Sequence, residues 1–389
     1  MIILNLLKEK KMKKRLLALI LTTAMLAMGC SGGSKTSEST VADSSSVVET
    51  TKAAEGEKSS ETSKAEETKA EGTKDAKSVK IGLVTDVGGV NDGSFNQSAW
   101  VGLQKIQEEF GAEVKYLQSA TDADYAPNLE AFVDDDYDLI ISVGYMLADA
   151  TKEAATAHPD KKFAIVDDSS LADLPNVTCL LFKQEQASYL VGYVAGLMTK
   201  TNKVGFVLGM ENETMNQFGY GYLAGVVDAN KDAKIIQSNA NSFSDPAIGK
   251  TNANAAITNG ADVVFHAAGA TGLGVIEACK EAKVYAIGVD SDQASLAPDT
   301  VITSAMKRVD NAVYDVSVAT IKGELKSGIK VYDLAKGGVD IAPTQNLLSA
   351  ETIKAVEDVK AKIISGEVVV PATKSEFEAK YGDIYELDK

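Results

Sequence analysis

VKIGLVTDVGGVNDGSFNQSAW, residues 79–100, reads as three pieces in succession. The apolar run Val79–Val84 is a buried strand. A Gly-rich polar loop follows, and a helix opens at Ser94. In an open α/β sheet, ligands bind outside the carboxyl ends of the strands, against helix N-termini. The segment sets two carboxylates (Asp86, Asp92), two amides (Asn91, Asn96) and one ring (Phe95) at such a spot. Hydrogen-bonding groups beside an accessible ring suit a small polar ligand with a flat face.

Outward from this stretch the chain keeps alternating strand and helix. Strand-like runs recur at 113–118, 138–144, 162–167, 177–182, 203–209, 233–238, 262–269, 284–290 and 301–307. Helical patterns lie between most of them, at 95–110, 125–133, 186–198, 216–228, 247–258 and 271–281. Continuous Val/Ile/Leu strands alternating with amphipathic helices predict parallel sheets covered on both faces. Such runs on either side of 186–200 predict two doubly wound α/β lobes, although no tandem sequence repeat is visible.

The polar residues that end these strands are the candidate site. Asp86 follows the first strand, Asp167 ends KFAIVD, Gly269 ends DVVFHAAG, Asp290 ends VYAIGVD and Lys307 closes VITSAMK. One Asp at a strand end is as well explained by a helix N-cap or a turn. Strand-end residues from both halves of the chain point instead to one crevice between lobes. GATGLG (269–274) has the wrong glycine order for a dinucleotide fingerprint, and neither a P-loop nor a nucleophile elbow occurs. No cofactor is expected. His158 and His266 have no partner at metal spacing, Cys179 and Cys279 lie in core-like runs, and Asp134–Asp136 fits no EF-hand loop.

The N-terminus carries an address. Lys8–Arg15 is basic, Leu16–Met28 is apolar and too short for an ordinary membrane span, and Gly29-Cys30 follows. Residues 1–30 therefore read as a signal peptide, started at Met1 or Met12. AMGC (27–30) resembles a bacterial lipobox, which implies lipidation of Cys30. Residues 31–78 are rich in Ser, Thr, Lys, Glu and Ala, without aromatic, Ile or Leu, and read as a tether that cannot offset its ordering entropy. The net charge of −16 argues against nucleic acid, which is held through Lys and Arg. Nothing in the sequence calls for an obligate oligomer, so a monomer is expected.

DVGGVNDGSFNQSAW (86–100), FKQEQASYLVGYVAG (182–196), SFSDPAIGK (242–250), VVFHAAGATGLGV (263–275), AIGVDSDQ (286–293) and TSAMKRVDNAVY (303–314) together resemble the basic membrane protein family. These are bacterial lipoproteins of the purine nucleoside receptor type, substrate-binding subunits of ABC importers. The resemblance runs in order through 79–389. It implies the type I periplasmic-binding-protein fold, with one lobe near 79–185 and 308–335 and the other near 186–307 and 336–389. It implies that Phe95 and Phe218 sandwich a purine base, that Asp290 and Lys307 hold ribose hydroxyls, and that Asp167 and Asn96 read the base edge. Asp86 and Asn91 would shape the loop at the base end. Permease and ATPase subunits would be the partners. His266 and Ala270 depart from the family pattern, as does 205–218. Three rival readings stay open: a receptor for a plain sugar, a nucleoside-cleaving enzyme, and a sensor that presents its ligand state to another protein.

Overall fold

The computed structural model describes residues 75–389. The expected signal peptide, Cys30 and the tether as far as residue 74 lie outside the described residues, while the last tether residues, Ala76–Ser78, form a short 3₁₀ turn. Two six-stranded sheets dominate. The first holds β1 (Lys80–Val84), β2 (Glu113–Leu117), β3 (Leu139–Ser142), β4 (Lys162–Val166), β5 (Val177–Phe182) and β11 (Gly328–Tyr332). Its order is β11-β5-β4-β3-β1-β2, and every pair is parallel. The second holds β6 (Lys203–Leu208), β7 (Lys234–Asn239), β8 (Val263–Ala267), β9 (Tyr285–Asp290), β10 (Val301–Lys307) and β12 (Val339–Ile341). Its order, β12-β10-β9-β8-β6-β7, repeats the first, except that β12 runs antiparallel to β10. The chain passes between the sheets three times, after β5, β10 and β11.

Side-chain alternation shows why both faces of each sheet are covered. In the first sheet Ile81, Leu83, Leu139, Ile141 and Leu180 join one apolar cluster. Val84, Ile140, Phe163, Ile165 and Cys179 join another on the opposite face, packed against Leu129 and Phe132. Successive strand residues point to opposite faces, so a strand apolar throughout must be buried twice. The covering helices are α1 (Phe95–Phe110), α2 (Tyr125–Asp134) and α3 (Ala148–Ala157) in the first half. In the second half they are α5 (Glu213–Ala229), α6 (Pro246–Thr258) and α7 (Thr271–Ala282). After the first crossing α4 (Gln184–Met198) packs on α5, and after the second α8 (Val309–Ile321) packs on α1. Then α9 (Ala350–Ser365) lies against α4, and α10 (Lys374–Tyr381) against α5.

All ten strand-like runs of the sequence are strands. The sequence reading missed β11, β12, α3 and α8–α10. β11 is an exposed edge strand with Lys330 between two accessible apolar residues, and β12 has three residues. Neither offers the continuous apolar run that marks a buried parallel strand. Among the described residues no helix is long and apolar enough to cross a membrane.

Candidate functional site

Parallel strands end at the same edge of a sheet, so strand-end residues meet where two such edges face each other. A cleft of about 540 Å³, open solvent at its mouth included, lies there. Asp86, Phe95, Asn96, Asp167, Phe218, Gly269, Asp290 and Lys307 all line it. Asn91 does not. It is exposed, and the loop turns Asp92 inward in its place.

Asp92 caps α1. Its carboxylate accepts from the backbone N–H of Ser94 (2.9 Å), Asn96 (2.8 Å) and Gln97 (3.0 Å). These are donors that a helix start otherwise leaves unpaired. The Asn96 amide then bridges two acids: Nδ2 donates to Asp86 Oδ1 at 2.7 Å and to Asp92 Oδ2 at 3.0 Å, while Oδ1 accepts from the Asp86 N–H at 3.2 Å. Both amide hydrogens of Asn96 are thus committed to the protein. This holds Asp86 in place, while Asn96 itself stays in the cavity lining. Gly88 N–H donates to the same Asp86 Oδ1 at 2.8 Å. Burial nevertheless pushes the Asp86 carboxyl up to about 6, against these bonds.

Lys307 and Asp167 come from opposite halves and pair at 2.5 Å, with side chains 2% and 6% exposed. The Lys307 ammonium stands 5.3 Å from the Phe95 ring centroid, 5.4 Å from Phe218 and 5.2 Å from Phe182. Three ring faces and one carboxylate therefore surround a buried cation, and their attraction offsets the cost of taking it out of water. Oδ1 of Asp167 is buried without a hydrogen-bond partner. Asp290 has no such cation in contact. It accepts a hydrogen bond from Ser94 Oγ across the cleft, and burial, only partly offset by Lys307, pushes it up to about 7.

Both aspartates sit at positive φ, +66° for Asp167 and +64° for Asp290. Asp tolerates this region better than most residues, and strain of this kind concentrates at functional sites. Gly144 follows β3 at φ +111°, where a Cβ would stand 3.4 Å from the Phe95 ring and 3.5 Å from Asp86 Oδ2. The sequence reading missed Gly144, Tyr145, Met146, Met215 and Phe243, which also line the cavity. Tyr145 and Phe243 meet edge to face at 6.5 Å, one from each half. Gly144 was legible in principle, because it ends the run DLIISVG just as Gly269 ends DVVFHAAG. The two apolar rings carried no signal that separates them from core residues. Among the described residues no cluster of His, Cys, Asp and Glu could hold a metal ion.

Known proteins share this fold. Residues 79–374 match the family described as ABC transporter substrate-binding protein PnrA-like. A CD4+ T-cell-stimulating antigen of Listeria innocua is 43% identical over 77% of this chain and 89% of its own length. An ABC transporter nucleoside-binding protein, BmpA, of Lactococcus lactis subsp. cremoris is 39% identical over 76% of this chain and 89% of its own. Among solved structures, an ABC transporter solute-binding protein of Aeropyrum pernix K1 superposes with a TM-score of 0.71 at 28% identity, covering 79% of this chain and 98% of that one. The chain belongs to the PnrA-like, or basic membrane protein, family of ABC transporter substrate-binding proteins.

Proposed function

We propose that this chain is an extracytoplasmic receptor, anchored by lipid on Cys30, that binds purine nucleosides between its halves and delivers them to a permease driven by an ATPase. The observation that carries this reading is the composition of the cavity. Two phenylalanine rings, Phe95 and Phe218, flank the Lys307 ammonium, and three carboxylates, Asp86, Asp167 and Asp290, converge on the same space. Ring faces accept a base, and a carboxylate accepts from two vicinal hydroxyls. Asp290 and Lys307 would hold the ribose, and the unpartnered Asp167 Oδ1 would accept from the base edge. The preponderance of acids disfavours a phosphate. The nucleoside-binding relative in Lactococcus supports the same ligand class.

In this mechanism the halves hinge at the three crossings and close around the ligand, excluding water. The closed form is what a permease would recognise. Calorimetry on protein refolded to strip bound ligand, titrated with adenosine, guanosine, inosine, uridine, ribose and adenine, tests the ligand. Tight purine nucleoside binding without turnover is expected. Binding of ribose alone would overturn the stacking assignment, and release of free base would make the protein an enzyme. The anchor has a separate test: labelled fatty acid should enter the native chain and not Cys30→Ala.

A further inference from the structure

Gln293 does not line the cavity, yet it is 2% exposed and lies in the seam between the two halves. Its Oε1 accepts from the Val289 N–H at 3.0 Å and faces His266 Nε2 at 3.1 Å. Its Nε2 donates to the Gly93 carbonyl of the other half at 3.0 Å, and Ser291 Oγ donates to that carbonyl at 3.4 Å. Val289 immediately precedes Asp290, and Gly93 immediately precedes Ser94. One amide therefore grips both shoulders of the Ser94–Asp290 contact across the cleft.

The network fixes the orientations. Gly93 offers an acceptor and Val289 a donor, so the Gln293 amide can point only one way, and His266 must carry its proton on Nε2. His266 is fully buried, and its Nδ1 has no partner. Two glycines make the space: a Cβ on Gly272 would come within 1.9 Å of His266 Nδ1, and one on Gly288 within 2.6 Å of Gln293 Oε1. A buried histidine with an unpartnered nitrogen costs stability, and nothing in the cavity uses it directly.

We propose that Gln293, its Oε1 held by Val289 and His266, is a cross-cleft latch that holds the Gly93–Ser94 loop of the first half over Asp290 of the second and so positions the Asp290 carboxylate. The latch needs only that the cleft is a ligand site, and it is indifferent to which ligand enters. Its action crosses from one half to the other, which separates it from simple support of the second half.

Hydrogen exchange on the full chain, with and without saturating adenosine, reads it, because the cross-cleft contact belongs to the closed form. In Gln293→Glu a carboxylate oxygen faces the Gly93 carbonyl, and in Gln293→Met no donor remains. Amides of residues 93–97, which contain no substitution and belong to the other half, should exchange about tenfold faster in either variant. His266→Phe should do the same more weakly, and His266→Gln, which keeps a donor toward Gln293, should behave as native. With adenosine as the probe, dissociation should speed up several-fold with the association rate unchanged. Unaltered exchange at 93–97 in both folded Gln293 variants would overturn the latch. If the native protein binds no adenosine, the nucleoside reading fails, and the exchange measurement alone decides the latch.

Discussion

The two halves share one strand order and no visible sequence repeat, and they present matched positions to the cavity. Asp167 follows β4, and Asp290 ends β9, the equivalent strand of the second sheet. Both adopt left-handed backbone. Gly144 and Gly269 follow β3 and β8, again at positive φ. Phe95 opens the helix after β1, and Phe218 lies in the second turn of the helix after β6. The same backbone device has been given different partners. Asp167 meets an ammonium at 2.5 Å, whereas Asp290 meets a hydroxyl and is left in a site whose burial holds its proton near neutrality. Strand ends fix where functional groups stand, and the partner across the cleft fixes what each can do.

The sharpest break of this comparison is Lys307→Met. It leaves Asp167 buried without its cation and should cost about 3–5 kcal/mol of folding stability. Adding Asp167→Asn should recover most of it, as read by urea denaturation. Equal stability of the single and double variants would mean that Asp167 does not depend on Lys307. Asp290→Ala should cost less stability but weaken adenosine binding by about 1.5–3 kcal/mol, because a charged acceptor for the ligand is lost. If Asp290→Ala binds adenosine as the native protein does while Asp167→Asn does not, the two aspartates have the opposite roles.

The rings come next. Phe95→Ala and Phe218→Ala should each cost about 1–3 kcal/mol of adenosine affinity by calorimetry. A loss confined to one of them would show that the base rests on one half only.

The smallest effect is pH dependence. With Asp290 near 7 in the empty protein, a ligand that donates hydroxyls to the carboxylate must expel its proton. Adenosine affinity should then fall by up to about tenfold per pH unit below 7, and Asp290→Asn should flatten that slope. For folding, the sign is opposite in two groups. Asp86 and Asp290 have raised values in the fold, so what they add is fully present below about 4 and is lost as pH rises through about 6 to 7. His266 is lowered from 6.5 to about 4 by burial, so the folded state loses stability to the unfolded one as pH falls through that interval. Titration with His266→Gln separates the two.

Much of this was legible in the chain. Strands apolar throughout must be covered on both faces, which gives the doubly wound class. The rule that ligands lie beyond strand ends selected Asp86, Asp167, Gly269, Asp290 and Lys307 before any contact was known, and all five line the cavity. Local polarity failed in the loop 86–96, where Asn91 and Asp92 look alike in sequence. Capping decided between them: three backbone donors at the start of α1 converge on Asp92, which leaves Asn91 to solvent. Nor does the sequence show that the two amide hydrogens of Asn96 go to the carboxylates beside it.

The sequence by itself determined the alternation of elements, the double coverage of the sheets and the edge on which the polar residues gather, because these follow from side-chain periodicity and from the direction of parallel strands. Only the tertiary structure decided the pairings. Lys307 lies 140 residues from Asp167, and Gln293 lies 200 residues from Gly93. No local pattern encodes a contact that exists only when two separately wound sheets turn their carboxyl edges toward each other.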